Sequence, residues 1–508
     1  MDIKRTNRNL NLRTNAVASF LWFAVRIIIT FFMTPLLIQS LGDRRYGVWS
    51  LVESVLAYLT LLDLGIAPSL VRFAAKFEAQ RDWKDLNRTF NTCFALYLGL
   101  GTIAMVVTFV LALGWSRPLG APADLAYEIR ILLLLLGANV ALRLPLGAFV
   151  ALLDSLGVYP AKVAIRIFWS LLSALALVLV VKAGYGLVGV GMIVTFSGLG
   201  ESLSLVVAAY WYLPQLRLSW RYVDLPTFRL IRGFSIYSFV AMIASRITFQ
   251  TDALVIGAFL APQHITFFML GARLVETAKE IFRVISGPFL PAISSLEATN
   301  NRQAIDRLFL TGTRSLVWLA VPFQVGFLVL GRDFLNLWMG SDYVGPSFPV
   351  LVALSATIAF GVGQLVAAKV IYGMGNLRFF SVVVVTEAVA NLVLSILLVK
   401  RFGILGVALG TVLPNIISSV IVCLSVCRML EIRLRVYFTA VWFKPVLLGC
   451  LLGLLWQGMV WIIPITTWPR FVLVGSLGTL FYIVSALWTE FGLRGMGDRI
   501  RHARLRSA

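Results

Sequence analysis

Apolar runs of about 20 residues recur from one end of this chain to the other, about fourteen by hydropathy, and few folds accommodate that pattern. Inside hydrocarbon every backbone N–H and C=O must find its partner within the protein, which leaves helices or a closed barrel. A barrel strand would alternate over about 10 residues, whereas these runs are continuously apolar. The expected fold is therefore an all-α polytopic membrane protein. Composition agrees: of 508 residues, 59% are hydrophobic and 13% charged, against roughly a quarter charged in soluble domains. The basic amino end leads straight into a full-length span with no small-residue cleavage site, so no cleavable signal peptide is expected.

The formal net charge of +21 is informative through its placement. Lys and Arg cluster in alternate loops. With the amino end inside, inner segments hold about 27 of them and outer segments about 8, which places both termini in the cytoplasm. No compact basic domain exists to bind a polymer, so nucleic acid is excluded as a partner. Cys93, Cys423, Cys427 and Cys450 lie in apolar runs and read as small packing residues. Cys423 and Cys427 share a helix face but lack His or carboxylate companions for a metal. His264 and His502 are far apart in sequence. No catalytic set, metal site or cofactor site is expected.

An internal repeat organises the chain. Gly147 and Gly157 bracket the same spacing as Gly363 and Gly373, with Lys162 and Arg378 at equal distances beyond. Further on, the GLVGVG run from Gly186 answers GILGVA from Gly403 at almost the same offset, and Arg26 answers Arg246 within a few residues of it. Six spans thus appear twice, followed by two more. An even number per copy gives both the same orientation, related by an axis along the membrane normal. The expected division is an amino-terminal lobe over 1–220, a second lobe over 221–430, and two additional helices with a basic tail over 431–508.

Several spans carry ionised residues. A charge at the bilayer centre costs about 2.5–3.5 kcal/mol even on lenient scales. Plotted at 100° per residue, Asn15, Ser19, Trp22, Arg26 and Thr30 share one face of the first span, and Tyr46, Ser50, Glu53 and Thr60 share one face of the second. The eighth span is clearest: Arg273, Glu276, Lys279, Glu280 and Arg283 form one stripe, with Leu274, Ala278, Ile281 and Ile285 opposite. Facing lipid, that stripe would cost roughly 10 kcal/mol or more, so it faces water or a buried ion-pair network. Arg143, Arg166, Glu201, Arg246, Asp252, Lys369 and Glu387 are further intramembrane charges. Arg side chains at depth offer fork-shaped donors suited to phosphate, and the acidic neighbours either pair with them or take up protons. The candidate substrate-binding residues are Arg26, Arg246, Arg273, Lys279 and Arg283. The candidates for proton coupling or ion pairing are Glu53, Asp252, Glu276 and Glu280.

The stretch LLIQSLGDRRYGVWSLVESVLAYLTLLDLGIAPSLVRFAA, the segments GYGLVGVGMIVT and FGILGVALGTVL, and the arrangement of spans resemble the bacterial polysaccharide and O-antigen flippases (Wzx-type) of the multidrug/oligosaccharidyl-lipid/polysaccharide exporter superfamily. That resemblance covers essentially the whole chain. It implies two six-helix lobes forming a V around a central cavity that opens alternately to each side of the bacterial inner membrane. It also implies a substrate: undecaprenyl-pyrophosphate-linked oligosaccharide, moved to the periplasmic leaflet by cation or proton antiport, with a polysaccharide polymerase and a chain-length regulator as expected partners. Members line the cavity with basic residues on the first, second, seventh and eighth helices, which carries a cavity role to Arg26 and Arg273. Glu53 departs from a purely basic second helix.

Two other functions compete. A cation-coupled multidrug extruder of the same superfamily should present net acidic residues to its cavity, whereas most deep charges here are basic. A membrane-embedded polymerase or glycosyltransferase needs a sizeable outer loop, and the longest outer segments are about 14–16 residues with no paired-carboxylate motif. A non-transporting lipid-binding scaffold ranks below both, having no need of deep charges in both halves.

Overall fold

The computed structural model describes residues 8–114, 123–229, 231, 251–374 and 377–492. Among these residues every regular element is helical. Ten helices are long and apolar enough to cross a membrane, or eleven if one bent pair counts as a single span. The expected count of about fourteen differs for identifiable reasons. The run expected at about 234–259 falls largely outside the described residues. The charged eighth run forms a helix, Gln263–Ser286, whose five ionised residues, Arg273, Glu276, Lys279, Glu280 and Arg283, set it apart from the ten apolar ones. Two expected spans are the two arms of one continuous segment, Leu377–Met429, that is broken only at Gly403. The chain falls into two compact units, Met1–Thr266 and Phe267–Ala508.

The first unit contains α1 (Arg8–Leu41), α2 (Asp43–Leu59), α3 (Ile66–Gln80), α4 (Trp83–Gly114), α5 (Ala126–Ser155), α6 (Tyr159–Lys182) and α7 (Gly186–Tyr212), followed by helical residues 251–259. Gly42, at φ 78°, interrupts the helix between α1 and α2, and Asp43 in the first turn of α2 complements the helix dipole. At the other end of α2 the second apolar run does not continue as one helix. Thr60–Asp63 tightens to a 3₁₀ turn, Leu64 and Gly65 adopt φ of 50° and 76°, and α3 restarts at 41° to its predecessor. The break leaves the first N–H groups of α3 without helical partners, and Asp63 Oδ1 accepts one, from Ala67, at 3.3 Å. Tyr97 of α4 donates its hydroxyl to the same oxygen.

The core of this unit packs α3, α4, α5 and α7 around Leu70, Phe90, Phe149, Leu152 and Leu205. The segment after α7 is pinned to α4 by two asparagines one helical turn apart. Asn87 donates to the Gln215 carbonyl at 3.1 Å and accepts from the Arg217 N–H at 2.7 Å. Asn91 donates to the Arg217 carbonyl and accepts from the Ser219 N–H, both at 2.8 Å. Four helical residues rise about 6 Å and two extended residues about 6.6 Å, so the two amides match successive peptide groups. At the other end, Arg44 reaches Asp124 at 2.8 Å and Arg45 reaches Glu128 at 2.9 Å. These pairs are solvent-exposed, and Arg45→Ala should cost less than about 1 kcal/mol, read as a small change in thermal unfolding of the detergent-purified protein.

The second unit contains most of α8 (Gln263–Ser286), then α9 (Phe289–Ala298), α10 (Arg302–Val329), α11 (Gly331–Met339), α12 (Ser341–Gly373), α13 (Leu377–Met429), α14 (Lys444–Ile462) and α15 (Trp468–Leu487). α13 folds back on itself at Gly403, whose φ of 59° and ψ of −138° suit glycine. A Cβ on Gly406 would lie 2.2 Å from the Leu398 carbonyl oxygen, and one on Gly410 2.4 Å from Ser395 Oγ. Glycines at these two positions let the halves of the hairpin touch. α14 and α15 pack through Trp456, which donates to the Val474 carbonyl at 3.0 Å over Gly478. They join α10 where Tyr482 donates to the Trp318 carbonyl and Arg314 meets Glu490 at 3.3 Å. Cys423 and Cys427 are buried free thiols.

Candidate functional site

The charged residues of the eighth span lie along α8, but its buried face is rotated from the expected one: of Leu274, Ala278, Ile281 and Ile285 only Ala278 is buried, and Ile285 is exposed. Val275, Ala278 and Phe282 are fully buried, Phe282 packing edge-on against Phe323 of α10. A Cβ on Gly271 would sit 2.9 Å from the backbone of Leu351, so the buried face lies tight on α12. On the other side Glu276 is the centre of a ladder, receiving Lys279 at 3.1 Å and Arg283 at 3.0 Å. Arg273 and Glu280 are partly buried. Glu276 thereby partly neutralises two of the expected anion-binding cations.

The remaining sequence-derived candidates are distributed over the first unit. Arg26 is partly buried on α1, its guanidinium 5.9 Å from the centroid of the Phe23 ring. Glu53 is exposed on α2 between buried Val52 and Ser54. Asp252 is 8% exposed, next to Thr251, whose hydroxyl shares a 2.9 Å hydrogen bond with Tyr58. Arg246 lies outside the described residues.

A separate concave site lies wholly inside the first unit. A cavity of about 760 Å³ is bounded by the broken end of α2 and by α3, α4, α5, α6 and α7. Its charged lining comprises Asp63, Arg72, Arg143, Asp154, Arg166 and Glu201. Glu201, on α7, sits between Arg166 of α6 at 3.3 Å and Arg143 of α5 at 3.7 Å. Asp154 is already held by Lys162, and Asp63 by Tyr97 and the Ala67 N–H. Asn139 at the same wall donates to the Val194 and Thr195 carbonyls, bracing α5 on α7. Sequence reasoning marks Arg143, Arg166 and Glu201 as intramembrane charges but does not join them to one another or to Asp63. They stand on four different elements, and no single-helix spacing connects them.

Concave polar sites within lipid-exposed helices are the architecture of a polytopic transporter. Comparison with known proteins agrees. The fold matches the solved structure of the lipid II flippase MurJ in an inward closed conformation, with a TM-score of 0.71 and 14% identity over 94% of this chain and 99% of that one. Among curated proteins, the chain is 23% identical over 241 residues to the probable low-salt glycan biosynthesis flippase Agl15 of Haloferax volcanii, and spans about half (51%) of that relative's length. It is 18% identical over 432 residues to a putative O-antigen transporter of Shigella flexneri, covering 83% of this chain and 99% of the relative. The family described as polysaccharide biosynthesis protein matches residues 36–348. The chain belongs to that family, and the flippases and transporters among its relatives point to a transporter rather than an enzyme.

Proposed function

We propose that this protein carries lipid-linked oligosaccharide, on an undecaprenyl-pyrophosphate or similar carrier, from the cytoplasmic to the periplasmic leaflet of a bacterial inner membrane by alternating access. The observation that carries the reading is the α8 stripe: an ionised face on a helix whose opposite face is packed core. Lipid cannot solvate such a face, and a polar path is what a glycan needs to avoid hydrocarbon. Arg26, Arg246 and Arg273 supply cationic contacts to the headgroup, with Lys279 and Arg283 released to it when Glu276 changes partner or takes up a proton. Glu53, Asp252 and Glu280 are the other acids available for ion pairing or coupling. With the cytoplasm negative, an anion moving outward gains about 2.3 kcal/mol per charge per 100 mV, so the headgroup leaves downhill and an entering cation resets the carrier. The lobes over 1–220 and 221–430, the two added helices over 431–508 and the cytoplasmic termini belong to the same proposal. So does cooperation with a polymerase and a chain-length regulator.

The test is translocation of a fluorescent lipid-linked oligosaccharide in proteoliposomes. Arg273→Ala and Arg26→Ala should each lower the rate at least about tenfold, a loss of about 1.4 kcal/mol of stabilisation, with membrane insertion intact. Full transport by the double variant would remove the cavity assignment. Robust pH-driven efflux of a cationic dye, without glycan transport, would replace the proposal with the multidrug reading.

A further inference from the structure

The cavity inside the first unit has a charge arrangement that packing alone does not require. Arg143 and Arg166 each approach Glu201, yet among the described residues neither guanidinium makes a hydrogen bond to it or to anything else, and the contacts are 3.7 and 3.3 Å. Each guanidinium carries five N–H donors, and both line an open volume of about 760 Å³, within the usual range of roughly 300–1,000 Å³ for small-molecule sites. A structural salt bridge in a membrane domain would close on its partner with paired short N–H···O bonds. Here Glu201, with its side chain 19% exposed, balances the charge without satisfying the donors.

The other two acids in the lining are committed elsewhere. Asp154 takes Lys162, and Asp63 takes Tyr97 and the start of α3. Glu201 is therefore the acid that a ligand has to exchange. The lining contains no open aromatic face on which a sugar ring could stack: its aromatic residue, Tyr97, is 2% exposed and already engaged through its hydroxyl. Arg72 adds a third guanidinium from α3. Three fork-shaped donors without a stacking platform suit a tetrahedral oxyanion with several acceptor oxygens.

We propose that this cavity is a binding site for a phosphate or diphosphate group, in which Glu201 is the resident counter-anion that the ligand displaces from the Arg143–Arg166 pair. The site belongs to the first unit alone. The offset that takes Gly186 to Gly403 takes Glu201 to Ser418, and the carboxylate that Ser418 contacts, Glu387, is hydrogen-bonded by neutral side chains. Because the claim concerns binding, it stands or falls apart from the transport proposal.

The experiment uses the full chain in phosphatidylcholine nanodiscs, with inorganic pyrophosphate and farnesyl diphosphate titrated separately and read by calorimetry. Displacement predicts an uncommon sign: Glu201→Gln should bind roughly tenfold more tightly, because the competing charge is gone while the guanidiniums stay. The Arg143→Gln/Arg166→Gln pair should weaken binding at least roughly tenfold. Gly147→Leu provides a variant that leaves every charge in place. Gly147 lines the cavity, and a Cβ there meets nothing within 4 Å, so the leucine should fill the space and abolish binding while the thermal transition is kept. Tighter binding of farnesyl diphosphate than of pyrophosphate would identify a lipid headgroup as the ligand, and equal binding a free anion; either supports the site. Absence of binding by both probes would overturn it. So would unchanged or weaker binding by Glu201→Gln, or retention of binding by Gly147→Leu.

Discussion

Gly47→Val should leave little folded protein in the membrane. Gly47 lies in the first turns of α2, and a Cβ at that position would sit 1.9 Å from the Pro262 carbonyl oxygen and 2.6 Å from its carbon. Those atoms are backbone, so no rotamer change relieves the overlap. The contact is locked on both sides: Thr266 donates to the Asp43 carbonyl at 2.7 Å, and Leu51 lies where a Cβ on Gly257 would fall, at 2.9 Å. Overpacking in a compliant core costs about 1–3 kcal/mol. An unyielding main-chain neighbour puts this site at or above the upper end, against total stabilities of about 5–15 kcal/mol for ordinary domains. Gly47→Ala should lower the thermal transition by several degrees, and Gly47→Val should fail to accumulate as a monodisperse species in detergent. A valine variant that melts with the wild type would show that α2 does not pack on the Ala261–Pro262 turn before α8. Gly47 falls within one of the stretches that carry the family resemblance, and its requirement there is steric.

Hydropathy identified most spans because a bilayer leaves one secondary structure available to a long apolar run. On α8 the helical period separates the charged residues from Ala278, which is buried, but it did not mark Val275 and Phe282, the rest of the buried face, because those are chosen by the neighbouring helices. What escaped the sequence depended on relations between helices. The break at Asp63–Gly65 is marked in the sequence by one aspartate and one glycine, no more than Glu53 and Gly47 earlier in the same run, and its stabilising partner, Tyr97, is on another helix. The bend of α13 at Gly403 falls where Lys400 and Arg401 separate two expected spans, but the close packing of its two arms over Gly406 and Gly410 is a relation between helices that neither run shows alone. Arg143, Arg166 and Glu201 were individually conspicuous as charges, but their convergence on one cavity follows from how α5, α6 and α7 pack.

The repeat gives a second large effect at the crossing within α13. Glu387 is 8% exposed and accepts from Asn415 at 2.8 Å and from Ser418 at 2.5 Å. In the first unit the corresponding crossing places the acid on the other helix, at Glu201, and answers it with arginines. Each copy thus holds one carboxylate, contributed by opposite sides. Ser418→Glu would put a second carboxylate against Glu387 with no cation supplied, and an uncompensated buried charge costs about 3–5 kcal/mol; its thermal transition should collapse. Glu387→Ser alone removes the acceptor for two buried donors, a smaller loss of about 1–3 kcal/mol. In Glu387→Ser/Ser418→Glu the crossing again has one acid and one hydroxyl, so the double variant should melt above Ser418→Glu, with a favourable coupling of about 1–3 kcal/mol in the double-mutant cycle. Additive losses would mean that the two side chains do not share one site. Recovery would show that the crossing accepts its acid from either helix, and that the first unit's arginines, rather than the position of the acid, set its cavity apart.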